Sequence, residues 1–339
     1  MTPKHSIPRK DHILNRDRVL HVLTVALSLL LTAAIFTGCG KKGQKEYDEG
    51  INFYTVQQYP AAVQQFVTAA NLGHAGAQCK LGFCFENGLG VRRDLTEAVK
   101  WYRKAAEQGN AEAQCKLGNC LMTGKGGKED KNEAVKWIRK AADQGYPEAQ
   151  DTLGLCFAKG LGVSKDLTEA VKWFHKAAKQ ENAWAEQHLG ECYFYGYGIK
   201  EDKAEAVKWY RKAADQGLAV AQTNLGQCYL FGDGLKEDKN EAVKWIRKAA
   251  DQGYPEAQDT LGFCFEKGLG VKEDITEAEK WYLKAVQQGN ADAQYHLGRL
   301  YELLGHLTSA VDLYRKAAQQ GHAKAKERAK FFEGATIRD

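Results

Sequence analysis

Residues 110–145 read NAEAQCKLGNCLMTGKGGKEDKNEAVKWIRKAADQG, and this stretch decides the fold. Ala113, Leu117, Gly118 and Leu121 fall on one face of a 3.6-residue period, which predicts a first helix whose glycine admits a close neighbour. Gly124 and Gly126 end that helix and supply left-handed backbone for a tight loop. Asp130 followed by Glu133 has the pattern of a capping box opening a second helix. Ala134, Trp137 and Ala141 form its buried stripe, and Gly145 closes it. The unit is helix, loop, helix.

Outward from this unit the same residues return at a fixed interval of 36. Trp101, Trp137, Trp173, Trp209, Trp245 and Trp281 keep it, as do Asp94, Asp130, Asp166, Asp202, Asp238 and Asp274. Cys84, Cys120, Cys156, Cys192, Cys228 and Cys264 keep it as well. Residues 128–154 and 236–262 are identical, three repeats apart, as if a block had been copied. A stack in which each repeat touches only its neighbours tolerates such copying, whereas a single catalytic constellation does not survive it in register.

Six units from His74 to Gly289 carry the pattern AxAxxxLGxxY, GxGVxxD, AxxWYxKAAxxG, which resembles the Sel-1-like repeat (SLR), a relative of the tetratricopeptide repeat. The resemblance implies an all-α, right-handed helical-repeat solenoid of about eight helix pairs. Residues 46–73 and 290–321 lack the loop extension and read as tetratricopeptide-like units. Residues 322–339, rich in Lys and Ala, read as a capping helix and tail. The family mediates protein–protein interactions, so a protein or peptide ligand is the implied partner.

Residues 1–38 read as an address. A basic segment ends at Arg18, an apolar run extends from Val19 to Phe36, and Thr37, Gly38 and Cys39 follow. This arrangement resembles a bacterial lipoprotein signal peptide, which implies cleavage after Gly38 and lipid attachment at Cys39, with residues 39–45 as a tether. Acyl chains contribute about 0.8 kcal/mol per buried CH₂ and so hold firmly to a membrane. An uncleaved signal anchor is the alternative, because the apolar run is long enough to span a bilayer. Both place the remainder outside the cytoplasm, on the periplasmic or surface face. The leader holds five of the 48 basic and two of the 43 acidic residues, leaving 43 against 41. That balance offers no basic footprint for nucleic acid.

Gly-x-Gly recurs in every unit with no strand before it, so it is not a dinucleotide fingerprint. No Cys-x-x-Cys or His-x-x-x-His spacing points to zinc. The eight cysteines other than Cys39 read as buried small hydrophobes rather than disulfide partners, since stacked helices stand about 8–10 Å apart. His188 and His296 share a repeat position, while His74, His175, His306 and His322 show no common geometry. No Ser stands ready as a nucleophile. The expectation is a non-enzyme with no catalytic residues, no metal and no cofactor.

In tetratricopeptide arrays the first helices line a concave face, and the resemblance extends that expectation here. The variable positions of that face are Trp184, Gln187, Glu191, Phe194 and Tyr195 in the fourth unit. In the fifth they are Val220, Thr223, Gln227, Leu230 and Phe231. Trp184 occupies a slot held elsewhere by Gly76, Glu112, Glu148, Val220, Glu256 or Asp292, which suits an interface anchor. With Phe194, Tyr195 and Phe231 it is expected to form one aromatic patch for an extended peptide or partner helix. A seal between neighbouring units is the bland alternative. Three functions fit: a scaffold at the envelope, a secreted or surface effector engaging a host protein, and a β-lactam- or peptidoglycan-binding protein.

Overall fold

The computed structural model describes residues 42–336, so Cys39 and the 1–38 leader lie outside the described residues. The chain divides at Gln144/Gly145 into two compact units. The first holds α1 (Gln44–Thr55), α2 (Tyr59–Asn71), α3 (Ala75–Asn87), α4 (Leu95–Glu107), α5 (Ala111–Thr123) and α6 (Lys131–Asp143). The second holds α7 (Pro147–Lys159), α8 (Leu167–Ala178), α9 (Ala183–Tyr195), α10 (Lys203–Asp215), α11 (Ala219–Phe231) and α12 (Lys239–Asp251). It continues with α13 (Pro255–Lys267), α14 (Ile275–Gln287), α15 (Ala291–Leu303), α16 (Leu307–Gln319) and α17 (Ala323–Thr336). The described residues form no strand, and the all-α repeat of helix pairs is as expected. Gln44 and Lys45, read as tether, already belong to α1.

Local chemistry sets each boundary. The Asn110 side chain accepts the Ala113 N–H at 2.8 Å and starts α5. Gly124 ends it with φ 70°, its N–H donating to the Cys120 carbonyl. Asp130 starts α6 by accepting the Glu133 N–H at 2.8 Å. The reciprocal half of the expected capping box is absent. The Asp130 N–H donates instead to the Leu121 carbonyl at 2.9 Å, pinning the loop to α5. The Glu133 carboxylate, thus released, accepts from Arg103 at 2.8 Å and from the Trp137 indole at 3.1 Å.

Two glycines carry the packing. A Cβ on Gly118 would sit 2.5 Å from Ile138 Cγ1, so α5 and α6 touch where only hydrogen fits. A Cβ on Gly126 would sit 2.2 Å from the Leu95 carbonyl, which lets the loop lie on the start of α4. Among the most buried large residues are Leu117 and the residue after each tryptophan of the 36-residue period: Tyr102, Ile138, Phe174, Tyr210, Ile246 and Tyr282 are all essentially inaccessible. Burying one such aliphatic side chain contributes about 2 kcal/mol. The tryptophans sit one step further out. Trp173, Trp245 and Trp281 are buried, whereas Trp101, Trp137 and Trp209 are half-buried. A lysine three residues on lies over each ring, at 3.5 Å for Lys176 on Trp173 and 4.3 Å for Lys212 on Trp209.

A glutamine ladder also joins the helices. Gln114 donates to the Ala106 carbonyl at 3.0 Å and accepts from Gln144 at 2.7 Å. Gln222 repeats both contacts with Ala214 and Gln252. The sequence carries the signal, a pair of glutamines 30 residues apart in nearly every unit, but periodicity arguments pass over polar residues.

Candidate partner-binding face

The ten partner-binding residues expected from sequence separate into exposed and enclosed groups. Trp184, Tyr195 and Phe231 are 54%, 57% and 63% exposed. Glu191, Phe194, Val220 and Gln227 are partly exposed. Gln187, Thr223 and Leu230 are only 1%, 2% and 3% exposed, so they are withdrawn as surface contacts. Leu230 packs into the core of the following helix pair, while Thr223 donates to the Ala219 carbonyl and Gln187 to Glu191 at 3.1 Å within their own helices.

The single aromatic patch is also corrected. Trp184 stands at the start of α9 and Phe194 at its end, about 15 Å apart at 1.5 Å per residue. Trp184 packs near His188, with ring centroids 6.2 Å apart. Phe194, Tyr195 and Phe231 do come together, around a small pocket of about 90 Å³ that Tyr210, Asn224, Gln227, Cys228 and Asp233 complete. Tyr197, 50% exposed and stacked on Tyr195 at 5.3 Å, joins this cluster. It was missed because it lies in the loop between Gly196 and Gly198, outside any helical period.

His188 Nδ1 meets Asp151 at 2.8 Å, and His296 Nδ1 meets Asp259 at 2.8 Å, one geometry in two places. His74 and His322 share a second geometry that the sequence reading did not find. Each accepts a backbone N–H three residues on through Nδ1 at 3.1 Å, standing where Asn110 stands in its unit. Each also stacks on a tyrosine, Tyr47 at 4.5 Å and Tyr295 at 4.6 Å.

All eight cysteines of the described residues are buried. Burial pushes Cys84 and Cys120 up to about 11 and Cys192, Cys228 and Cys264 up to about 12, so these thiols stay protonated near neutrality. Among the described residues no group of His, Cys, Asp and Glu is arranged to hold a metal. No described helix is long and apolar enough to cross a membrane.

A larger cavity, about 310 Å³, opens beside Gly127 and is lined by Val99, Arg103, Leu121, Lys125 and Lys128 among others. Its cause is a missing side chain. Val91, Ile199, Leu235 and Val271 occupy the equivalent position and pack on their local cores.

Comparison with known proteins settles the family. The Sel1 repeat model matches residues 75–110, 111–146, 147–182, 185–218, 219–254 and 255–290. The chain belongs to the Sel1 repeat family. A tetratricopeptide repeat model matches residues 291–319. A solved structure similar to this Sel1 repeat chain is a protective antigen present in uropathogenic Escherichia coli strains, displaying an SLR fold. It shares 35% identity over 89% of this chain with a TM-score of 0.68, and this chain spans 66% of its length. A Sel1 repeat protein from Oxalobacter formigenes shares 33% identity over 71% of this chain and 96% of its own, with a TM-score of 0.66. None of the curated proteins matches. Sel1 and tetratricopeptide repeats are generally non-enzymatic scaffolds for protein–protein binding.

Proposed function

We propose that this Sel1 repeat protein is an interaction scaffold held at the bacterial envelope through a lipid on Cys39, and that it binds a protein or peptide across α9 and α11. The observation that carries the reading is the exposed cluster Phe194, Tyr195, Tyr197 and Phe231. Tyr195, Tyr197 and Phe231 are half or more exposed, with Phe194 packed on the core beside them, and exposed rings of this kind suit an interface anchor. Acids and bases near balance in residues 39–339 give no reason to invoke nucleic acid.

Crosslinking capture from cells tests the binding face, comparing wild type with Tyr195→Ala/Phe231→Ala and with Trp184→Ala. One protein captured by wild type and lost with the double variant supports the reading. Equal capture by all three sinks it. The anchor has its own test, incorporation of labelled fatty acid into wild type and into Cys39→Ser. Equal labelling of the two removes the lipid from Cys39.

A second reading, a secreted or surface effector engaging a host protein, draws on the description of the E. coli relative as a protective antigen. Protease treatment of intact cells separates the two: a shielded chain favours the scaffold, a digested one the effector.

A further inference from the structure

A tyrosine that follows the tryptophan of a repeat, or follows Leu313 at the same place in the terminal unit, carries a hydroxyl that needs a partner once its ring is buried. Tyr102 donates to Glu86 at 2.6 Å, Tyr282 to Glu266 at 2.8 Å and Tyr314 to Glu302 at 2.7 Å. Each glutamate stands five residues after the leucine of its Leu-Gly pair. In the fourth unit that place belongs to Phe194. Tyr210, 2% exposed, therefore has no carboxylate at that place to meet. It lines the small pocket between Phe194, Tyr195 and Phe231.

The charges around this pocket have one sign in excess. Asp233 lines it, and Glu191 lies close enough to act on Tyr210. The counter-charge is the Lys203 ammonium, 2.7 Å from Asp233 and 5.0 Å from the centre of the Phe194 ring. Aromatic faces with a net negative charge attract cations. Elsewhere in the chain the Arg211 guanidinium donates to the Tyr229 hydroxyl and lies over that ring, so a phenol and its face take a cation together.

We propose that the pocket between α9 and α11 receives a cationic side chain, the guanidinium of arginine or the ammonium of lysine, from the partner peptide. The Tyr210 oxygen accepts from the entering N–H, Phe194, Tyr195 and Phe231 present their rings, and Lys203 is the internal competitor at the rim. The proposal rests on the scaffold reading and names the partner chemistry of its face.

The test titrates the full chain in detergent with N-acetyl-arginine amide, N-acetyl-lysine amide, N-acetyl-norleucine amide and N-acetyl-glutamate amide, by saturation-transfer NMR. The cationic probes are expected to saturate with Kd on the order of millimolar, as a single side chain does. Tyr195→Ala/Phe231→Ala should weaken them about tenfold. Lys203→Ala, which removes the competitor at a partly exposed position, should tighten them and leave the norleucine probe unchanged. Norleucine binding as well as arginine, glutamate binding better, no saturation by any probe, or indifference to Lys203→Ala each overturns the proposal. Failure of the two ideas is distinguishable. Partner capture retained without probe binding removes the cation pocket alone, and probe binding with capture indifferent to the double variant removes the scaffold face alone.

Discussion

Gln216 donates its side-chain amide to Glu186 at 2.8 Å, and among the described residues this is the rung of the ladder where a carboxylate replaces an amide. Elsewhere the rung is Gln78, Gln114, Gln150, Gln222, Gln258 or Gln294. Glu186 is 2% exposed and, when ionised, has no proton to offer a helix carbonyl as Gln222 offers one to Ala214.

Burial raises the Glu186 carboxyl above its usual range, partly opposed by the Gln216 hydrogen bond. A raised folded value means the stabilising contribution is present below the unfolded pKa and lost as pH rises through the folded one. Glu186→Gln is therefore expected to stabilise the protein by about 1 kcal/mol at pH 7. The gain should shrink as pH falls toward 4, where Glu186 itself is neutral. Urea denaturation of both proteins at several pH values checks this; a gain independent of pH contradicts it.

Gly118 and Gly127 should respond in opposite directions to an added side chain. A Cβ at Gly118 meets Ile138 at 2.5 Å and the Ala134 carbonyl at 3.0 Å, so Gly118→Ala should cost about 1–3 kcal/mol. A Cβ at Gly127 meets nothing within 4 Å, and the equivalent residues are aliphatic. Gly127→Val should fill the cavity and stabilise by about 0.5–2 kcal/mol. Thermal melts of the two variants suffice, and a loss from Gly127→Val would show that the cavity is needed open.

Neighbouring large residues in α6 should differ in cost. Ile138 is fully buried against Gly118, whereas Trp137 is half-buried under Lys140 at 4.1 Å. Ile138→Ala is expected to cost about 2–5 kcal/mol. Trp137→Ala should fall short of the full range for a buried aromatic, because water already reaches part of the ring. Denaturation midpoints that rank the two the other way would place Trp137 deeper than the geometry does.

Thiol accessibility follows from burial. Cys192, Cys228 and Cys264, pushed up to about 12, should resist alkylation by iodoacetamide at pH 8 in the folded chain and react on unfolding. Mass spectrometry after a timed pulse reads this directly. Rapid modification of these three in the native state would mean their helices open far more readily than their packing implies.

Helix order, caps and core stripe were legible because they are written in short-range terms. Asn110, Asp130, Gly124 and Gly145 announce boundaries through their own backbone and side-chain chemistry, and a period of 36 repeats the announcement. The reading failed where a residue answers to a neighbouring unit. Glu133 turns to Arg103 of the preceding helix pair, so its capping role is lost.

The sequence by itself determined a Sel1 repeat array with variable residues on its first helices, since turn chemistry and apolar period are local and recur in every unit. Only the tertiary structure decided which of those variable residues meet solvent. Gln187, Thr223 and Leu230 are as variable as Trp184, but inter-unit packing closes over them while Trp184 stays open. It also brought Tyr197 from a loop beside Tyr195, and left Tyr210 without the carboxylate that meets Tyr102 and Tyr282, because Phe194 stands at the glutamate position one helix away. Burial and pairing depend on atoms distant in the chain, and a period counted along one helix carries no information about them.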